Sequence, residues 1–241
     1  MNYDPILLQE IDIKLPKVMA CQLTSYKPKG KALKKFQQAA ESFLEILPTG
    51  KEGKKLVRAI YEVHDRLLFD YYAKNQIACR KGCDICCRQL VCCSALETEV
   101  IIDFITNSGM EKAKIIYQVK KKSLKFFKEH EKIISTANDW SQIGDYLRKH
   151  AHGVTPCPYL HTKEKKCIIY PARPLICRVA RTKNPCGQAD QLKALPHGIN
   201  LYVDHIAFTL IDREEKKLYG QMRVYPMAGW PITKPYGEFF L

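Results

Sequence analysis

Residues 79–87 read Cys-Arg-Lys-Gly-Cys-Asp-Ile-Cys-Cys and place four thiols within nine positions. A second set of cysteines follows at wide, nearly even spacing, at Cys157, Cys167, Cys177 and Cys186. Packing alone gives thiols no reason to gather in this way. Two separated sets of soft sulfur ligands are what a zinc ion or an iron–sulfur cluster needs. The sequence therefore predicts a metal centre built from both sets.

The local spacing of the first set is typical of a ligand-bearing turn. Sulfur ligands must converge on one point from different directions, and Gly82 supplies backbone freedom directly before Cys83. The neighbouring Cys86 and Cys87 have diverging side chains. They therefore face different metals, or one closes the site while the other packs inside. In the second set, prolines stand on both sides of Cys157, which lowers the entropy lost when a loop is held in ligand geometry.

At these residues the chain resembles the YkgJ family of cysteine-cluster proteins, which are described as carrying a zinc- or iron-chelating CxxCxxCC-type domain. The resemblance covers roughly residues 79–186. It rests on Cys79, Gly82, Cys83, Cys86, Cys87, Arg88 and Glu97, and then on Cys157-Pro-Tyr-Leu160, Cys167-Ile-Ile-Tyr170, Arg173-Pro174 and Cys177-Arg178. It implies seven metal ligands, namely Cys79, Cys83, Cys86, Cys87, Cys157, Cys167 and Cys177. Cys186 makes an eighth, and eight sulfurs would serve two four-coordinate centres.

Several nearby residues have a functional and a plainer interpretation. Arg173 and Arg178 would offset the negative charge of a thiolate-rich centre and hydrogen-bond to sulfur, or they are ordinary surface arginines. Cys92 and Cys93 depart from the family pattern and are interpreted as buried thiols in preference to spare ligands. His161 is interpreted as a solvated histidine in preference to a substitute ligand.

The ligand type leaves the metal open, because four sulfurs suit both Zn2+ and an iron–sulfur cluster. None of the late cysteines forms the C-x2–4-C knuckle of structural zinc sites, which favours an iron–sulfur cluster or an unusual binuclear site. Cys79-x3-Cys83-x2-Cys86 also has the spacing of the radical S-adenosylmethionine enzymes. That family places the motif after the first strand of a β/α barrel, whereas helical patterns surround it here.

Three functions are compatible with these patterns. The first is a metal-binding protein with a role in electron transfer, sensing or metal handling. The second is a cluster-dependent enzyme that modifies proteins, because the YkgJ family includes relatives of flagellin lysine N-methylase. The net charge of +14 fits an acidic protein or redox partner. It also admits the third function, in which the lysine-rich helix binds a nucleic acid. For those lysines, a solvated helix face is the favoured interpretation.

Hydrophobic periodicity predicts a mainly α fold of the α+β kind. Apolar residues recur at three- and four-residue steps over 31–47, 53–74, 95–107 and 110–134. Ser94 and Glu97 predict a capping box at the start of the third helix. The composition of 201–211 predicts a strand, which pairs with 218–225 as a short C-terminal β hairpin.

Three segments are expected to join into one domain. Residues 1–78 form an N-terminal helical region, 79–190 the cysteine-cluster domain and 191–241 a β-like extension. The proline-rich part, 153–190, is expected to be a structured loop with a strand over 167–170, and a short helix is expected over 139–150.

A cytoplasmic location is expected from charge placement and cysteine usage. Asp4, Glu10 and Asp12 break up any signal-peptide core, and no apolar run is long enough to span a membrane. In the reducing cytosol, clustered cysteines are more often metal-binding or catalytic than disulfide-bonded.

Overall fold

Helices form where the spacing of apolar residues in the sequence predicts them. The computed structural model describes residues 28–74, 82–88, 91–109, 112–136, 156–181, 202–220 and 224–227. Its longer helices are α1 (Lys31–Ile46), α2 (Gly53–Lys74), α3 (Ala95–Asn107) and α4 (Lys112–Thr136). Each matches a predicted helix within two residues at either end. The expectation of a mainly α fold is confirmed.

The remaining described elements are short, apart from one helix near the C-terminus. They are a 3₁₀ turn (Ile85–Arg88), β1 (Cys92–Ser94), β2 (Leu160–His161), β3 (Lys166–Cys167), a second 3₁₀ turn (Tyr170–Ala172), α5 (Leu175–Val179), α6 (Tyr202–Tyr219) and β4 (Val224–Pro226). The strand expected over 167–170 is confirmed only at its first residue, since a 3₁₀ turn begins at Tyr170. The helix predicted over 139–150 lies outside the described residues.

One hydrophobic core joins α1, α2, α3 and α6. Phe43 of α1, Ile60 of α2 and Ile211 of α6 are each 1% exposed or less. Ala172 and Leu175, from the second cysteine segment, belong to the same core. Because burying a leucine side chain contributes about 2 kcal/mol, Leu175 anchors that segment strongly.

The predicted C-terminal β hairpin is wrong. From Tyr202 onward the expected strand is the first half of α6. Its β-branched and aromatic residues favour a strand locally, but Asp204, Ala207, Phe208 and Ile211 are buried at the three- and four-residue steps of a helix. Packing of α6 against α1 and α2 therefore overrides the local composition.

The residues predicted to form the hairpin turn instead cap two other helices. Glu214 Oε1 accepts a hydrogen bond of 2.6 Å from the backbone N–H of Gly53, at the start of α2. Glu215 Oε1 accepts one of 2.6 Å from the backbone N–H of Leu96, at the start of α3. Negative charge at helix N-termini is favourable, because the first N–H groups lack helical partners. These glutamates therefore fix α6 to both helices.

The strands form two small antiparallel pairs. β4 pairs with β1, about 130 residues earlier in the chain, in the register Cys93 opposite Tyr225. β2 pairs with β3 in a tight hairpin, whose turn holds Lys165 at a positive φ of 48°. In the part of the chain that the structure describes, we find no helix of the length and apolarity that a membrane crossing requires.

Candidate metal centre

The two cysteine motifs meet at a backbone hydrogen bond. The N–H of Cys157 donates to the carbonyl oxygen of Cys87 over 2.6 Å. Cys87 lies in the first 3₁₀ turn, which its own N–H helps to close on the carbonyl of Asp84. Gly82 has a φ of 88°, a left-handed value that favours glycine, as its place before Cys83 predicted. Residues seventy positions apart are thus in direct contact.

The β2–β3 hairpin brings a further cysteine to this junction. The N–H of Leu160 donates to the carbonyl of Cys157 over 2.9 Å, which forms a turn directly before β2. Cys167 of β3 lies opposite Leu160. The N–H of Ile168 donates to the carbonyl oxygen of Tyr159 over 2.9 Å, which extends the pairing of β2 with β3. Cys157 is therefore held in the turn before β2, and Cys167 on the strand that pairs with β2.

Glu97 connects the short helix that carries Cys177 to the hydrophobic core. The predicted capping box with Ser94 is confirmed. The same carboxylate also accepts hydrogen bonds from the backbone N–H of Leu175, over 2.6 Å, and from the hydroxyl of Tyr61, over 2.9 Å. Because Leu175 begins α5, Glu97 fixes the short helix that carries Cys177.

The thiols of Cys87, Cys157, Cys167 and Cys177 lie within electrostatic reach of one another. Burial raises the pKa of Cys87 to about 12, and the Cys167 thiol adds to this shift. Burial also raises the pKa of Cys157 and Cys177 well above the ordinary value, with Cys87 and Cys167 contributing to both. The pKa of Cys167 is raised by burial as well. Without a metal, all four sulfurs are therefore protonated at neutral pH.

Arg173 lies where charge compensation would need it. Its guanidinium group opposes the upward pKa shifts that burial causes at Cys87, Cys167 and Cys177. It also stacks over the exposed ring of Tyr170, 4.0 Å from the ring centroid. The role of Arg173 in tuning a centre stays a prediction.

Arg178 is buried and differs from the surface arginine that the plainer interpretation assumed. It donates to the carbonyls of Arg173, over 2.9 Å, and Pro171, over 2.7 Å, and pairs with the carboxylate of Asp65. Its guanidinium group also stacks 4.2 Å from the ring centroid of Tyr61. Through these contacts Arg178 holds the second motif against α2. Its positive charge also lowers the pKa of the Cys167 thiol, which opposes the effect of burial.

Lys122 is a contact of the site that the sequence analysis missed. Its ammonium group donates to the carbonyl oxygens of Leu160, over 2.8 Å, and Pro158, over 3.4 Å. It thereby holds the Cys157 loop against α4. A sequence signal was present, because Lys122 continues the stripe of Ile115 and Val119 at helical steps. By contrast, Lys121 and Lys128 are exposed, as a solvated helix face predicts.

The remaining predicted ligands of the first motif differ in exposure. Cys83 is exposed and Cys86 is half-buried, as Cys87 is. The Cys83 thiol contributes to the raised pKa of Cys87, so it lies near that thiol. Cys79 lies outside the described residues.

Other predicted residues lie apart from this set or are not described. Cys93 is buried, with its sulfur 3.4 Å from the hydroxyl oxygen of Thr98, as expected of a packed thiol. His161 is exposed and its Nδ1 accepts a hydrogen bond from the backbone of Glu164, as expected of a solvated histidine. Cys186 falls outside the described ranges.

The described cysteines are neighbours without being arranged for ligation. Among the described side chains, no group of three or more histidine, cysteine, aspartate or glutamate residues has the geometry of a metal site. Comparison of the chain with family models, with curated proteins and with solved structures found no match. The resemblance to the YkgJ family therefore rests on the motifs alone.

Proposed function

We propose that the chain is a metal-binding protein, with a four-sulfur centre held by Cys87, Cys157, Cys167 and Cys177. The observation that carries the proposal is the hydrogen bond from Cys157 to Cys87, which joins two cysteine motifs distant in sequence. The electrostatic influence of these four thiols on one another supports it further.

The chemistry of the donor set fits such a centre. Thiols are the ligands that both zinc and iron–sulfur clusters prefer, and a bound metal would deprotonate them. Burial disfavours the thiolate form in the metal-free protein, so the positive charge of a metal would supply the missing stabilisation. Arg173 and Lys122 would offset the remaining negative charge, since both act on thiols of the set.

The other four predicted ligands, Cys79, Cys83, Cys86 and Cys186, are proposed to serve a second four-coordinate centre. The exposure of Cys83 would put that centre closer to solvent than the first. Such a protein would act in electron transfer, sensing or metal handling. Cys83, Cys87, Cys157, Cys167 and Cys177 are free thiols, which suits the reducing cytosol as the compartment of this protein.

The test is anaerobic purification of the full chain, followed by elemental analysis and a visible spectrum. An iron–sulfur protein gives a charge-transfer absorption that dithionite bleaches, together with iron and sulfide. A zinc protein is colourless and carries stoichiometric zinc. A chain that holds neither metal, even after reconstitution with zinc or with iron and sulfide, would contradict the proposal.

A further inference from the structure

A buried charged network lies at the C-terminal end of the second cysteine motif. It consists of Arg181, Asp204 and His64, whose exposed fractions are 1%, 2% and 0%. Arg181 follows α5, Asp204 belongs to the first turn of α6 and His64 to the middle of α2. Charged groups are rarely buried this completely unless they are paired, so the network needs a structural or functional reason.

Asp204 is the centre of this network. One of its carboxylate oxygens, Oδ2, accepts from Arg181 Nη2 over 2.5 Å. The other, Oδ1, lies 2.8 Å from His64 Nε2, which donates the ring N–H because a carboxylate only accepts. Arg181 Nη1 also donates to the carbonyl of Arg178 over 3.2 Å. The end of the cysteine segment is therefore tied to α6 and to α2 together.

A second arginine–aspartate pair ties the same segment to α2. Arg178 pairs with Asp65, the residue that follows His64. The two pairs differ in exposure, because the Asp65 side chain is 48% exposed whereas that of Asp204 is 3% exposed. Cys177 directly precedes Arg178, so both pairs act on the short helix that bears this sulfur.

We propose that Asp204 and Asp65 are positioning residues, which hold Cys177 in place for the metal through Arg181 and Arg178. The inference rests on the proposed function, and it identifies the outer contacts on which that centre depends. Removing Asp204 leaves Arg181 as a buried charge without its counterion, and the segment must move to hydrate it. Residues that orient metal ligands in this way change metal affinity although they never touch the metal.

The experiment is a zinc titration of the full-length chain in competition with a chromophoric chelator, under conditions where circular dichroism shows each variant folded. Asp204→Asn should weaken zinc binding by about 10- to 100-fold, the range typical of outer contacts of metal ligands. Asp103→Asn is the matched control, because Asp103 pairs with Lys54 and Arg58 of α2 without touching the cysteine segment. Its zinc affinity should equal that of the wild type, whatever its stability.

Arg181→Lys and Arg181→Met separate positioning from packing. Lysine keeps the charge opposite Asp204, so this variant should retain more zinc affinity than the methionine variant, which keeps only the apolar length. If Asp204→Asn fails to fold, Asp65→Asn decides the matter, because its carboxylate is half-exposed and its expected loss is about 10-fold.

Failure of the proposed function and failure of the positioning role give different results in this experiment. A wild-type chain that binds neither zinc nor a cluster overturns the proposed function and this inference with it. A wild-type chain that binds zinc, with folded Asp204→Asn or Asp65→Asn variants of unchanged affinity, overturns the positioning role alone.

Discussion

The two cysteine motifs differ in the contacts that the structure describes. In the first, at residues 82–88, the backbone of Cys87 bonds to Asp84 within the turn and to Cys157, and Cys83 is exposed. The second, at residues 156–181, is held by side chains from four other parts of the chain, namely Glu97, Lys122, Asp65 and Asp204. The second motif is therefore the one whose side-chain anchors are seen in the described part of the chain.

This difference indicates where a metal site is preorganised. Ligands fixed by packing and hydrogen bonds lose little entropy when they bind, whereas an exposed ligand such as Cys83 loses more. We expect substitutions in or around the second motif to affect metal binding more than substitutions in the first.

The largest expected effect is that of pH on metal affinity. Burial raises the pKa of each of the four thiols, so the metal-free protein keeps these protons at neutral pH and above the pH at which an ordinary thiol ionises. Bound sulfurs are thiolates, so each metal displaces about four protons, and affinity rises by up to about 10,000-fold per pH unit as pH increases. The number of protons displaced per metal is measured as proton release on zinc addition, followed with an indicator dye in weak buffer.

Two variants test whether the proton count belongs to the second motif. With one equivalent of zinc, bound by Cys87, Cys157, Cys167 and Cys177, Cys83→Ala should release as many protons as the wild type, and Cys177→Ala one fewer. Equal loss in both variants would show that the exposed and the buried cysteine serve the same centre.

Removal of a sulfur ligand is expected to have the next largest effect. Cys177→Ala should weaken zinc binding by more than the roughly 100-fold typical of outer contacts, because it removes a ligand outright. It should also lower the melting temperature of the metal-loaded protein, since binding free energy is also folding free energy. Cys83→Ala should change both quantities less. An unchanged melting transition in Cys177→Ala would place the centre outside the second motif.

Glu97→Gln should cost about 1–3 kcal/mol of unfolding free energy. The amide that replaces one carboxylate oxygen cannot accept from the buried N–H groups of Ser94 and Leu175 together with the Tyr61 hydroxyl. Urea denaturation measures the change. Glu99→Gln is the control in the same helix, because Glu99 accepts one hydrogen bond, from the Tyr219 hydroxyl. A loss no larger than that of the control would show that Glu97 does not bridge the two elements.

The smallest expected effect concerns Lys122. Lys122→Met should destabilise the protein by about 1 kcal/mol, because two carbonyl oxygens of the Cys157 loop lose their donor. Zinc affinity should fall by less than in Asp204→Asn, since Lys122 is half-buried and water can take the place of its ammonium group. Lys121→Met, on the exposed face of the same helix, should leave both quantities unchanged. Equal effects of the two substitutions would show that Lys122 contributes no more than a lysine on the solvated face of α4.

The sequence by itself determined the four long helices, the capping box and the two sets of cysteines. Each depends on local information: the spacing of apolar residues along a helix, a side chain that reaches three residues, or the density of sulfur along the chain. The resemblance to the YkgJ family added a predicted set of ligand residues but nothing about their surroundings.

Only the tertiary structure decided which cysteines lie together and what supports them. Local composition favoured a strand over 201–211, whereas packing on α1 and α2 makes it a helix with Asp204, Glu214 and Glu215 turned inward. Contacts such as Arg181 with Asp204, or Lys122 with Leu160, join residues that carry no mutual signal in the sequence. The physical reason is that a buried charge or hydrogen bond is stable only with its partner, and the fold alone brings the partner there.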